Sequence, residues 1–93
     1  MIQKIFNSIL LERKRQDLKW GPQTHWNSIW NSILGEEVGE VAKEVNTQAF
    51  DQKDFKIDHL KNELIQVAAV AVAWLEDIEK KERREIEVKG ETI

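Results

Sequence analysis

Val67-Ala68-Ala69-Val70-Ala71-Val72-Ala73-Trp74-Leu75 is the stretch on which the fold turns, because its alternating Val and Ala suit a strand as well as a helix. Four of the nine residues are Ala, the strongest helix former, and apolar spacing of three and four continues on both sides, so the segment is helix. It is well short of the roughly 20 apolar residues a membrane span needs. The helix runs from about Ile57 to the charged stretch Glu79-Lys80-Lys81-Glu82-Arg83-Arg84, with Asp54 or Asp58 as its cap. Its centre is apolar all the way round and has to be covered on every side, which two short helices of one chain do not achieve. A homodimer or homotetramer packed on this third helix follows.

Upstream, Ile2, Ile5, Phe6, Ile9 and Leu10 recur at helical spacing over residues 1–19. Gly21-Pro22 then breaks the pattern, since Pro lacks an amide donor and disfavours a helical residue before it. Residues 20–25 form a loop. A second helix, capped by Thr24 or Ser28, carries Ile29, Trp30, Ile33, Leu34, Val38, Val41 and Val45 on one stripe to about Thr47. Gly35 and Gly39 inside it each cost about 1 kcal/mol relative to Ala, which points to a neighbouring helix packed close to that backbone. Asn46 to Asp54 is polar and aperiodic, a loop with room for a short turn at Ala49-Phe50, and the tail from about Ile86 to Ile93 is mixed and expected to fray. The expected fold is all-α: a small antiparallel bundle of three main helices forming a single domain over residues 1–93.

The composition narrows the function. With 93 residues the chain has one marginal core, burying about 60–65% of its unfolded surface. The absence of Cys removes disulfides, thiol catalysis and Cys-based zinc sites, leaving carboxylates and two His as metal ligands. A net charge of -3 gives no general pull toward nucleic acid or an anionic membrane. The start, Met1-Ile2-Gln3-Lys4-Ile5-Phe6, lacks a long apolar run, so a soluble cytoplasmic protein is expected.

The chemistry concentrates in Leu34-Gly35-Glu36-Glu37-Val38-Gly39-Glu40-Val41-Ala42-Lys43-Glu44. On a helical wheel Trp30, Leu34, Val38, Val41 and Val45 occupy an arc of about 80°, and Glu36, Glu37, Glu40 and Glu44 fill the adjoining arc of about 100°, with Glu37 next to the core. Like charges at i,i+3 and i,i+4 destabilise a bare helix, and a hard divalent cation such as Mg²⁺ or Mn²⁺ would compensate them. Helix three offers a matching stripe of His59, Glu63, Gln66, Val70 and Asp77, within about 60° of one another. Glu63 lies on an apolar face, where a charge needs a partner. The plainer alternative is a solvated acidic face neutralised by Lys43, with Glu44 and Asp77 at the surface.

Glu36-Glu37-Val38-Gly39-Glu40, followed after 22 residues by Glu63-Leu64-Ile65-Gln66, resembles the two-part motif Glu-Glu-x-x-Glu and Glu-x-x-Asp of the all-α, MazG-like nucleoside triphosphate pyrophosphohydrolases. The resemblance covers about residues 28–78. It implies an enzyme that uses Mg²⁺, or Mn²⁺ in its place, to cleave a nucleoside or deoxynucleoside triphosphate between the α- and β-phosphates, giving the monophosphate and pyrophosphate. It further implies that Glu37, Glu40 and Glu63 are metal ligands, with Gln66 in the fourth position, and that Glu36 and Glu37 serve catalysis, Glu36 as a further ligand or the group orienting the attacking water. Gln66 departs from the family's Asp, and its neutral amide oxygen would hold a metal more weakly.

The loop Lys19-Trp20-Gly21-Pro22-Gln23-Thr24-His25-Trp26 precedes the acidic helix and is placed to reach over it. Trp20 or Trp26 would stack on a base, with Gln23 or His25 reading its edge. Filling a small core is the structural alternative for these Trp residues. Arg13, Lys14, Arg15, Lys19, Lys53 and Lys56 are candidate phosphate contacts, and His59 joins Lys56 in the candidate substrate-binding set. A catalytically weak or inactive relative, acting as a nucleotide sensor or helical interaction module, is the alternative function. A di-iron bundle is disfavoured because the doubled Glu-x-x-His is missing.

Overall fold

Each stretch with three-and-four apolar spacing forms one helix. The computed structural model describes residues 1–91, with α1 at Ile2–Trp20, α2 at Asn27–Phe50 and α3 at Ile57–Glu91. No strand occurs among the described residues, so the Val-Ala alternation is helical, as its alanines predict. No helix among them is long and apolar enough to cross a membrane.

The helix ends have local causes. Gly21 stops α1 with a φ of 72°, a left-handed conformation that only glycine adopts readily, and its amide donates to the Asp17 carbonyl at 2.8 Å. Neither Thr24 nor Ser28 caps α2, whose N-cap is Trp26 in an extended conformation without a side-chain cap bond. The approach to α2 is held instead by a long-range bond, from the His25 amide to Asp77 of α3. α2 continues past Thr47 to Phe50, and the predicted 46–54 loop contracts to 51–56, because the Asp51 amide closes the last turn on the Thr47 carbonyl at 2.8 Å. α3 starts with the His59 amide donating to the Lys56 carbonyl at 3.0 Å, and Asp58 in its first turn suits the positive end of the helix dipole. Helix persists through Glu91, beyond Ile86 where fraying is expected, and the rest of that tail, residues 92 and 93, lies outside the described residues.

α3 is the central element. α1 and α2 each pack on it, and their Cα atoms do not come within 8 Å of one another. That separation explains a failed expectation about Gly35 and Gly39: both are exposed, and a Cβ added at either would meet nothing within 4 Å. The buried apolar core is small, consisting of Trp30, Ala69 and Val70. Ala69 is completely covered, so its small side chain sets the close approach of the helices around it. α1 turns Glu12, Arg13 and Gln16 inward while Phe6, Leu10, Leu11 and Leu18 remain exposed. The radius of gyration is 16.9 Å, against about 12 Å for a compact domain of this length.

Candidate functional site

A cleft of about 360 Å³ opens where the three helices meet, within the size range of small-ligand sites. Helical periodicity builds its walls. α1 contributes Arg13, Gln16, Asp17 and Trp20, which share one face at i, i+3, i+4 and i+7. α3 contributes Gln66, Val70, Ala73, Asp77 and Lys80 at steps of four and three, together with Glu76. α2 supplies Trp30, Ile33, Glu36 and Glu37, and the α1–α2 loop supplies Pro22 and Gln23.

One end of the cleft is acidic. Burial pushes the half-buried Glu37 carboxyl above the usual carboxylate range, and the charges of Glu63, Glu40, Glu36 and Glu12 push it further the same way. All three helices therefore contribute to one negative field. Glu40 is exposed and accepts a 3.2 Å ion pair from Lys43. Glu12 accepts both Arg15 Nε at 2.8 Å and Arg15 Nη2 at 2.7 Å, a bidentate pair that holds its carboxyl low despite partial burial. Gln66 Oε1 accepts from Gln16 Nε2 at 3.4 Å, and the nearby Gln66 amide helps hold the Glu12 carboxyl low. Among the described residues, no three Asp, Glu or His side chains are gathered into a preformed metal site.

The other end is closed by Asp77, only 3% exposed. Asp77 Oδ2 accepts from Trp30 Nε1 at 2.8 Å, the His25 amide at 3.1 Å and Lys81 Nζ at 3.0 Å. Burial alone would lift its carboxyl, but these donors hold it far below the usual range. The surface position expected for Asp77 is thus overturned, because three segments converge on one carboxylate. His25 packs edge-on against Trp30 at 4.9 Å, and its Nε2 lies 2.9 Å from Gln23 Oε1.

The residues singled out from the sequence divide accordingly. Trp20, Gln23, Glu36, Glu37 and Gln66 line the cleft. Glu40 and Glu63 lie outside its lining but within the electrostatic reach of Glu37. His25 braces the loop behind the cleft wall, whereas Trp26, Lys56 and His59 are exposed and stand away from it. Arg13 is in the cleft, but its guanidinium is shared among Glu76 at 2.8 Å, Gln16 at 3.0 Å and Asp17 at 3.0 Å. Glu12, Gln16, Glu76 and Lys80 were not in the site predicted from the sequence. For Gln16 the signal was available in its spacing from Arg13 and Trp20 on one helix face. Comparison of the chain with protein-family models, characterised proteins and solved structures finds no match.

Proposed function

We propose that the chain is a Mg²⁺-dependent nucleoside triphosphate pyrophosphohydrolase of the MazG-like kind, releasing pyrophosphate and a nucleoside monophosphate. The observation that carries this reading is the acidic end of the cleft, where burial, and then carboxylates from all three helices, disfavour the ionised form of Glu37. Carboxylate and amide oxygens without Cys suit a hard divalent cation, and an uncompensated cluster of negative charge is relieved by one, so the donor set fits Mg²⁺ or Mn²⁺. Glu37, Glu40, Glu63 and Gln66 are the residues that would hold it. Mg²⁺ bound there supplies charge neutralisation for the triphosphate and a more acidic water.

The chain's own groups divide the remaining work. Lys80 attracts the phosphates, while the Arg13 guanidinium is held on the cleft wall by Glu76, Gln16 and Asp17. Trp20 offers a stacking face for the base and Gln23 a hydrogen-bonding edge. A Glu36 carboxylate oxygen accepts the proton of the water that attacks the α-phosphorus as the bond to the bridging oxygen breaks. The order of contacts, Trp30 with Asp77 and Glu37 near Glu63, supports α2 running antiparallel to α3. The reading extends to a cytoplasmic homodimer or homotetramer joined through α3.

The test is pyrophosphate release from a panel of canonical and modified triphosphates with Mg²⁺ or Mn²⁺; folded protein that turns over none of them sinks the proposal. One observation favours the sensor alternative, namely that the Gln66 Oε1 that would ligate a metal already accepts from Gln16. Calorimetry separates the two, since a sensor binds nucleotide without hydrolysing it. Gln66→Asp adds a second contrast. An aspartate there restores the charge that the resembled motif carries, and strongly raised activity in that variant would mark the site as decayed from a catalytic one.

A further inference from the structure

We infer that Glu12 of α1 is a further ligand for the cation proposed at the acidic end of the cleft, supplying the negative charge that Gln66 lacks, and that Arg15 holds this carboxylate until the cation replaces it. The inference rests on the metal-site reading above. Glu37, Glu40 and Glu63 match charged positions of the motif the chain resembles, whereas Gln66 stands where that motif has Asp. An amide offers an oxygen and no charge, so one negative charge is missing from the ligand set.

The missing charge stands on the neighbouring helix. Glu12 and Gln16 are one turn apart on α1, on the face turned toward α3. Gln16 Nε2 lies 3.3 Å from Glu12 Oε2 and 3.4 Å from Gln66 Oε1, so a single nitrogen touches both oxygens and sets the Glu12 carboxylate beside Gln66. The same carboxylate acts on Glu37 together with Glu63, Glu40 and Glu36. Its side chain is only 10% exposed, so it is committed to the interior and needs a positive partner there.

Arg15 is that partner, and it is placed to be released. Its Nε and Nη2 donate to Glu12 at 2.8 Å and 2.7 Å, but its side chain is 52% exposed and belongs to the same helix. Arg13 provides the contrast: it is 12% exposed and tied to Glu76 of α3 as well as to Gln16 and Asp17, so it is part of the wall. Turning Arg15 outward breaks a pair within α1 and returns its guanidinium to water, a small loss at an exposed position. A divalent ion concentrates twice the charge in a smaller radius, so Glu12 gains by the exchange when it shares that ion with Glu37, Glu40 and Glu63.

Mn²⁺ titration at neutral pH, with free Mn²⁺ read by electron paramagnetic resonance, tests the assignment without nucleotide or turnover. Glu12→Gln should weaken Mn²⁺ binding about tenfold or more, the scale on which groups that hold a metal site are felt. Arg15→Gln should tighten it several-fold, because it frees Glu12. The two substitutions break the same ion pair, so a merely structural role for that pair would shift both in one direction. In the Glu12→Gln background Arg15→Gln should change nothing, whereas a general field effect of the guanidinium would persist. Gln66→Asp added to Glu12→Gln should recover the lost affinity by returning the charge to α3. Unchanged affinity in Glu12→Gln while Glu37→Gln loses it overturns the role of Glu12 and leaves the metal site standing, and so does weakening by Glu12→Gln and Arg15→Gln alike. Tightening by Arg15→Gln that persists without Glu12 overturns the exchange. A wild-type chain that binds no Mn²⁺ overturns both the inference and the reading it rests on.

Discussion

Asp77 and Glu37 are carboxylates lining the same cleft, and their surroundings are opposite. Asp77 is buried among donors from the α1–α2 loop, α2 and its own helix, which hold it ionised. Glu37 is half-buried among carboxylates from α1, α2 and α3, which favour its protonated form. Asp77 has left water and Glu37 has partly left it, but only Asp77 has exchanged it for matched partners. A satisfied buried charge fixes structure, whereas an unsatisfied one marks a place that gains from a ligand. The Asp77 end is therefore the brace of the molecule and the Glu37 end its candidate site.

The sharpest test of the brace is Asp77→Ala. It strands the Trp30 indole N–H and the His25 amide and removes the partner of Lys81, so stability should fall by about 3 kcal/mol. Urea unfolding followed by Trp fluorescence measures it, and a loss below about 1 kcal/mol would mean that the two ends of the cleft do not differ as described. Asp77→Asn keeps an acceptor for the two N–H groups and should lose distinctly less.

The sharpest test of the site is the cation. If Mg²⁺ is held at the Glu37 end, Mg²⁺ at about 100 times its dissociation constant should stabilise the wild-type chain by about 2.7 kcal/mol. Glu37→Gln should abolish most of that gain while leaving the Asp77 network intact. A thermal midpoint that does not respond to Mg²⁺ in the wild type, or a response equal in the variant, breaks the assignment of that end as a cation site.

How legible this contrast was in the sequence follows from range. The Glu36-Glu37-x-x-Glu40 pattern and its helix are local, and spacing alone placed Glu37 beside the core and Glu63 on the facing stripe. The helical character of Val67–Leu75 was likewise set by its alanines. Asp77 lies on the same stripe as Glu63 and Gln66, yet its partners Trp30 and His25 are 47 and 52 residues away in sequence, and no spacing rule reaches that far. The same long-range bond explains why the start of α2 was misassigned, since Asp77 holds the loop in place of a local cap. Gly35 and Gly39 suggest a helix packed close to their backbone, but both lie exposed on α2, where α1 does not reach.

Lys81→Met is a smaller test that separates charge from dipoles at the brace. Lys81 is partly exposed and pairs with Asp77 at 3.0 Å, an interaction worth up to about 1 kcal/mol at such positions. The indole and amide donors should carry the rest, so the variant should lose about 1 kcal/mol or less and salt should narrow its gap from wild type. A loss approaching that of Asp77→Ala would make the ion pair, and not the buried N–H donors, the basis of the brace.

The smallest effect is pH dependence, and there the two ends differ in sign. Asp77 has a folded-state pKa below its unfolded value, so its stabilisation is present above about pH 4 and is lost as pH falls through and below that value. Glu37 has a folded-state pKa above its unfolded value, so its stabilisation is present below about pH 4.3 and is lost as pH rises through the raised folded value. Raising pH from about 4.5 toward neutral with metal chelated should therefore lower stability by a few tenths of a kcal/mol, the scale of like-charge helix pairs. Urea midpoints across that range measure it, and Glu37→Gln should flatten the slope because it removes the titrating group and leaves Asp77 ionised throughout. With Mg²⁺ present the slope should reverse, because protonation of Glu37 then competes with the cation, and an unchanged slope would separate the acidic end from any metal.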